Sequence, residues 1–352
     1  MNFVSSHWGT YNFSVDKNKK IQLDNWGLDS SPTEFGLGLA DAAIDNLRIT
    51  QPHVRKGWLN NIGKSDGKRG QDEFIPVSWD EAFELASKEL LKTKNVYGNS
   101  AIYAGSYGWA SAGRFHHAKS QVNRFFNLFG GFSSSFQSYS YAAAQTLLPH
   151  IIGLDLYTTL EEHTTWNALS EECELILMFG GMPLKNSKVS AGGVGKHVTK
   201  LGMKKCCDKG VEFINISPLI DDAPKFLKAQ QVPIRPNTDT ALMLALAHIL
   251  IKNQSYDKDF IDKYTVGFDS FSDYVQGKKN NQECSPEWAS KITNIPVKTI
   301  YELANKIITK KTMISLSWSL QRASRGEQPL WMGITLAAML GQIGTASGGF
   351  GF

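Results

Sequence analysis

Apolar residues recur along this chain at two spacings, helical and strand-like, and the two alternate. From Ser78 onward, Trp79, Phe83, Ala86 and Leu90 fall on one helical face, and Ser78 followed by Glu81 is a capping-box start. A short apolar run, Ala101 to Ala104, comes next. After a glycine-containing loop, a second helical stretch over residues 115–129 is closed by Gly130 and Gly131. The rhythm repeats downstream. The apolar run at residues 175–179 predicts a strand buried on both faces, and residues 211–216 and 313–316 predict further strands. Helices are predicted over residues 196–209, from Thr238 or Asp239 to Lys252, from a first-turn proline at Pro296 to Ile308, and over 329–340. Such alternation implies an α/β fold with parallel, helix-covered sheets.

Residues 1–75 differ. They are rich in Gly, Asn, Asp and Pro, with only short alternating pieces such as Tyr11 to Val15 and Lys20 to Leu23. They predict a small β-rich N-terminal region ahead of an α/β region over 76–352, whose candidate internal boundary is near residues 150–170.

Composition narrows the function. Hydrophobic content of 42% and charged content of 20% describe a chain that can build a core. The net charge of +4 is not gathered into a stripe, and the densest basic run, Lys17, Lys19 and Lys20, stands alone, so no nucleic acid partner is expected. The longest apolar run, near residues 242–251, is too short to cross a bilayer, so no membrane span is expected. The first twenty residues show no apolar signal region and no twin arginine, which gives a cytoplasmic expectation, or a periplasmic one if the N-terminus is incomplete. The four cysteines, Cys173, Cys206, Cys207 and Cys284, form no C-x-x-C pair and read as reduced thiols rather than metal ligands.

Open α/β sheets bind ligands beyond the carboxyl ends of their strands. Here the segments after the predicted strands are 105–109, 180–186, 217–218, 235–239 and 318–322, all small, polar or aromatic. Arg322 and Lys185 suit a pyrophosphate, and Asp239 suits the donor-rich edge of a base such as guanine. On residue types alone, turn chemistry is the better account of the glycines, and Ser140, just before an Ala-rich helix start, reads first as an N-cap. No G-x-G-x-x-G, Walker loop, H-E-x-x-H or G-x-S-x-G is present, so nicotinamide, ATP and hydrolase readings lack their signatures.

Taken in order, SHWG (6–9), VRKGWL (54–59), RGQDEFIPVSWDEA (69–82), AGSYGWASAGRFHHA (104–118), YSYAAAQTLLPHIIG (139–153), RPNTDTALMLALAH, WSLQRASRGEQPLWM and LGQIGTASGGFGF resemble the dimethyl sulfoxide, trimethylamine N-oxide and biotin sulfoxide reductases. The resemblance implies molybdenum held by two molybdopterin guanine dinucleotides, with Ser140 as the metal's protein ligand and no iron–sulfur cluster. It implies that Tyr107 and Trp109 sit over the metal, and that Tyr107, Gly108, Trp109, Lys185, Asn186, Ser217, Asn237, Thr238, Asp239, Trp318, Ser319 and Arg322 contact the cofactor. A hard alkoxide such as that of Ser140 suits a high-valent metal. The implied reaction is oxygen-atom transfer: an S-oxide or N-oxide gives up its oxygen, and two electrons and two protons carry it away as water. Tyr107 and the cytoplasmic expectation together imply a sulfoxide substrate, of the biotin or methionine sulfoxide type. Two departures stand out. Tyr141 replaces a small residue beside the serine, and Ser217 stands where asparagine is usual. The resemblance also implies further C-terminal domains, an electron-donor protein and a C-terminal companion chain as a partner. The alternative is an inactive fragment, or half of a split enzyme, that binds part of the cofactor or a partner chain.

Overall fold

The computed structural model describes residues 2–61, 64, 69–106, 117–190 and 192–352. It divides into two compact units, Met1–Phe136 with Lys188–His197, and Gln137–Ser187 with Val198–Phe352.

The first unit opens with an antiparallel meander of β1 (Phe3–Ser6), β2 (Gly9–Val15) and β3 (Ile21–Asn25). A second antiparallel pair follows, β4 (His53–Arg55) with β5 (Phe74–Pro76). Helix α1 (Trp79–Tyr97) starts where the sequence places it, because Ser78 Oγ accepts from the Glu81 backbone N–H at 3.2 Å. Helix α2 (Ala118–Phe129) ends where Gly130 turns to φ 115°, and the Gly131 N–H returns to the Phe126 carbonyl at 2.8 Å. The run 101–104 is not a full strand. Asn99–Ala101 is a 3-10 turn, and only Tyr103 pairs, in a single bridge with Ser133.

The second unit is built on a five-stranded parallel sheet. Its strands are β6 (Leu175–Phe179), β7 (Glu212–Ile216), β8 (Gln230–Val232), β9 (Thr312–Leu316) and β10 (Gly349–Gly351), in the order β10-β9-β6-β7-β8. Every residue of β6 and β9 is buried, as strands covered on both faces require. Their alternation sorts two cores. Leu175, Leu177, Phe179, Ile314 and Leu316 join one, while Ile176, Met178 and Met313 join the other with Met203 and Cys206.

The principal helices of this unit are α3 (Ala142–Ile151), α4 (Thr199–Asp208), α5 (Asp239–Lys252), α6 (Pro286–Thr293), α7 (Val297–Thr309) and α8 (Glu327–Met339). Helix α5 is apolar around its circumference because α6, α7 and α8 all pack against it. Pro296 is the N-cap of α7 rather than its first residue. Helix α4 begins at Thr199, three residues later than the spacing predicts.

The chain lays down β6 first, builds outward through β7 and β8, and then returns to the other side of β6 with β9 and β10. The sheet therefore has a switch point between β6 and β9, and loops leaving the carboxyl ends of these strands diverge there.

Candidate functional site

Every candidate residue among the described ones lies in the second unit. Tyr107, Gly108 and Trp109 lie outside the described residues.

The two switch-point loops are packed on each other. The Ser317 N–H donates to the Phe179 carbonyl at 3.0 Å, and the Gly180 N–H donates to Ile216 at 2.9 Å. A Cβ on Gly180 would stand 2.8 Å from Ser317 Cβ, and one on Gly181 would stand 2.4 Å from Asp222 Cβ. Both glycines have positive φ, 78° and 75°. Their requirement is thus internal: neighbouring protein atoms fill the space a side chain would need.

Beyond them a 3-10 turn, Leu184–Lys188, presents Lys185 and Asn186 to solvent. After β7, Ser217 is buried and its hydroxyl donates to Asp222 Oδ2 at 2.6 Å. Gln231 Nε2 donates to the Ser217 carbonyl at 2.7 Å. The Ser217 hydroxyl is therefore engaged within its own loop. After β8, Asn237 takes a left-handed conformation at φ 64°, and Thr238 Oγ1 donates back to the Arg235 carbonyl at 2.6 Å. Asp239 then opens α5, only 5% exposed. Burial pushes its carboxyl up to about 6, and its only polar contact among the described residues is its own backbone N–H.

After β9, Ser317 caps a short 3-10 helix, Trp318–Gln321. Trp318 lies stacked on Phe352, ring centres 4.7 Å apart, and 6.0 Å from the Tyr141 ring. This loop is also where Ser140 is held. Arg322 Nε donates to the Ser140 carbonyl at 3.3 Å, and Gln321 Oε1 accepts from the Ala144 N–H at 3.2 Å. Among the described residues the Ser140 hydroxyl has no hydrogen-bond partner. Ser140 is therefore tied through Arg322 to the loop that carries Trp318 and Ser319, while Lys185, Asn186, Asn237, Thr238 and Asp239 follow the carboxyl ends of β6 and β8. Two residues that sequence reasoning passed over hold these loops: Gln321, which anchors α3, and Asp222, which anchors Ser217. Nothing in their local sequence marks either one, because both contacts depend on the packing of loops.

An open parallel sheet whose polar loops gather at a switch point is the arrangement in which α/β proteins bind ligands. The chain belongs to the molybdopterin oxidoreductase family, whose family model matches residues 48–352. It is 38% identical to the dimethyl sulfoxide/trimethylamine N-oxide reductase of Rhodobacter capsulatus over 98% of this chain and 42% of that protein. It is 39% identical to the biotin sulfoxide reductase of Cereibacter sphaeroides over 94% of this chain and 44% of that protein. It is 37% identical to a trimethylamine-N-oxide reductase of Haemophilus influenzae over 99% of this chain and 42% of that protein. The chain thus spans less than half the length of these curated relatives. Its fold matches that of acetylene hydratase from Pelobacter acetylenicus with a TM-score of 0.64, covering 97% of this chain and 44% of that one at 18% identity.

Membership implies a molybdenum–pterin cofactor. The strand-end residues fit such a group. Among the described residues, Ser140 offers a hard oxygen with no hydrogen-bond partner, Lys185 is an exposed cation with no ionic partner, and Asp239 is a buried acceptor that faces no cation. Gln321 Nε2 is also buried without a partner among the described residues. Among the described residues no group of three or more His, Cys, Asp or Glu could hold a metal ion. No helix of the described residues is long and apolar enough to cross a membrane.

Proposed function

We propose that this chain forms the metal-facing wall of a molybdenum-dependent reductase that removes oxygen from an S-oxide or N-oxide. The cofactor in this reading is molybdenum with two molybdopterin guanine dinucleotides, and it supplies the two-electron oxygen-atom chemistry when bound. The names of the similar proteins support both substrate classes, and their identities, 38% and 39%, do not separate them. Tyr107 directs the reading towards sulfoxides.

The observation that carries it is the convergence of Ser140 with the β9 loop. Arg322 holds the Ser140 carbonyl and Gln321 the Ala144 N–H four residues on, so the serine hydroxyl is presented from a segment tied to the β9 loop at the head of α3. In this assignment Ser140 Oγ is the protein ligand of the metal. Trp318, stacked on Phe352 and beside Tyr141, walls off water near it. Arg322 and Lys185 neutralise pyrophosphate. Asn237, Thr238 and Asp239 receive a guanine, with the Asp239 carboxylate accepting from the base's N–H groups. Lys185, Asn186, Ser217 and Ser319 complete the dinucleotide contacts. Tyr107 donates a hydrogen bond to the departing oxygen, Gly108 lets the backbone approach, and Trp109 shapes the pocket. Electrons come from a separate donor protein.

The test is direct. Protein purified from a molybdenum-replete host is expected to carry molybdenum and guanine nucleotide and to reduce methionine or biotin sulfoxide with a reduced viologen. Ser140→Ala is expected to abolish that rate while keeping the guanine nucleotide. A preparation with neither metal nor nucleotide would sink the reading.

A further inference from the structure

Strand β8 lies at an edge of the parallel sheet, and its three residues, Gln230–Val232, carry no apolar alternation to fix their register. A side-chain interlock stands in its place. Asn215 of β7 and Gln231 of β8 are direct partners in the ladder. Asn215 Nδ2 donates to Gln231 Oε1 at 2.6 Å and to the Leu219 carbonyl at 3.1 Å. Gln231 Nε2 donates onward to the Ser217 carbonyl at 2.7 Å. The Ser217 hydroxyl donates to Asp222 Oδ2 at 2.6 Å and accepts from the Leu219 N–H at 3.2 Å. The Asp222 carbonyl accepts from the Met182 N–H at 2.8 Å, where Gly181 packs against it. One chain of hydrogen bonds thus runs from β8, through the loop after β7, to the loop after β6.

Asn215 is fully buried between Ile214 and Ile216, and its Oδ1 has no partner among the described residues. A buried amide with one atom unsatisfied costs stability, and an apolar residue would fill the position at less cost. Folding alone therefore does not account for Asn215. What the amide adds is direction. A hydrogen-bonded pair accepts one register, and a slip of one residue would turn Gln231 to the other face of the sheet.

The loops tied in this way carry the candidate residues. Lys185 and Asn186 follow β6, Ser217 follows β7, and Asn237, Thr238 and Asp239 follow β8. Strands β6 and β8 are separated in the sheet by β7. We propose that Asn215 and Gln231 are positioning residues for the dinucleotide: they pin β8 to β7 and so set the spacing between the guanine-facing loop at Asp239 and the phosphate-facing loop at Lys185. This rests on the cofactor reading above. Every residue in it belongs to the second unit.

The experiment removes both amides together, with Asn215→Leu and Gln231→Leu in one chain. Replacing both partners of a hydrogen bond by apolar groups of similar shape is nearly neutral, so the melting temperature should stay close to wild type. Loss of guanine nucleotide from the cofactor-loaded protein on dilution, measured as GMP after acid treatment, should be about 10- to 100-fold faster, the range seen when groups supporting a ligand are removed. In cofactor-free protein, hydrogen exchange at the Leu219 and Met182 N–H groups should speed up at least about twofold, the low end for coupling through one network. Gln231→Leu alone should show the same two changes, and it serves if the double variant does not fold. Ile261→Ala is the structural control. It truncates a buried core residue in the helix Lys258–Tyr264, whose side chain makes no hydrogen bond to these loops. It should lower the melting temperature and leave nucleotide loss and exchange unchanged. If Lys185→Ala or Asp239→Asn releases nucleotide while both leucine variants hold it as wild type does, the interlock is overturned and the cofactor reading stands. Unchanged exchange at Leu219 and Met182, or equal nucleotide loss from Ile261→Ala, overturns it as well. Wild-type protein that carries no guanine nucleotide overturns the cofactor reading, and this proposal with it.

Discussion

Arg322 Nε donates to the backbone carbonyl of Ser140 at 3.3 Å, joining residues 182 positions apart. The bond takes the carbonyl, not the side chain, so it orients the serine while leaving its hydroxyl available. Arg322→Ala should therefore let the Ser140 turn drift. A misplacement of about an ångström at a reacting centre costs up to 100-fold in rate. We expect kcat for sulfoxide reduction to fall between about 10- and 100-fold, with KM little changed. Steady-state kinetics with a dye donor check this, and an unchanged kcat would remove Arg322 from the positioning of Ser140.

Gln321 makes the companion bond, from its Oε1 to the Ala144 N–H, in a buried place. Gln321→Leu strands that N–H. Leaving a buried donor unsatisfied costs about 1–3 kcal/mol. The melting temperature should drop by about 2–6 °C. A variant that melts with wild type would show that the N–H finds another acceptor.

Gly181 has φ 75°, and a Cβ there would lie 2.4 Å from Asp222 Cβ and 2.7 Å from its carbonyl oxygen. Gly181→Ala must adopt a left-handed conformation and displace backbone. Strain of this kind costs about 1–3 kcal/mol before the clash is counted. Denaturant unfolding should show a loss above about 2 kcal/mol, and Asp222 would shift away from Ser217. Neutral stability would contradict the packing of these two loops.

How much of this could be read from the chain depends on burial. Strand β6 was legible because a covered strand carries an unbroken apolar run, β9 because Met313, Ile314 and Leu316 carry most of one, and α1 because Ser78 and Glu81 cap it. Strands β8 and β10 were not, since QQV and GFG carry no strand pattern and pair along one side only, at the sheet edges. Helix α6 was passed over although Ser285 and Pro286 announce it, with Ser285 Oγ accepting from the Trp288 N–H at 3.3 Å. At the site, the rule of strand carboxyl ends located the loops around Lys185, Asp239 and Trp318 before any coordinates. It could not join Ser140 to Arg322, nor show that Ser217 turns its hydroxyl to Asp222. Those relations are made by tertiary packing, and no local spacing records them.

Asp239 carries the sharpest pH dependence. Its carboxyl sits at about 6 in the folded chain, raised by burial from an ordinary 3.8. A raised acid holds its proton more tightly folded than unfolded. The resulting stability is full below the unfolded value and is lost as the pH rises through 6. Above that, the buried carboxylate costs up to about 3 kcal/mol in cofactor-free protein. Asp239→Asn removes the charge, so the cofactor-free variant should melt higher than wild type at pH 7–8, with the advantage gone near pH 4. With the dinucleotide bound the sign reverses. In the proposed assignment the carboxylate accepts from guanine, a charged hydrogen bond contributing about 1.5–3 kcal/mol, and the asparagine variant should bind guanine nucleotide roughly 10- to 100-fold more weakly by the same measure. Melting curves from pH 4 to 8, with and without the cofactor, test both halves. A variant less stable than wild type at every pH, in both states, would show Asp239 to be a structural helix-start residue and no part of a guanine site.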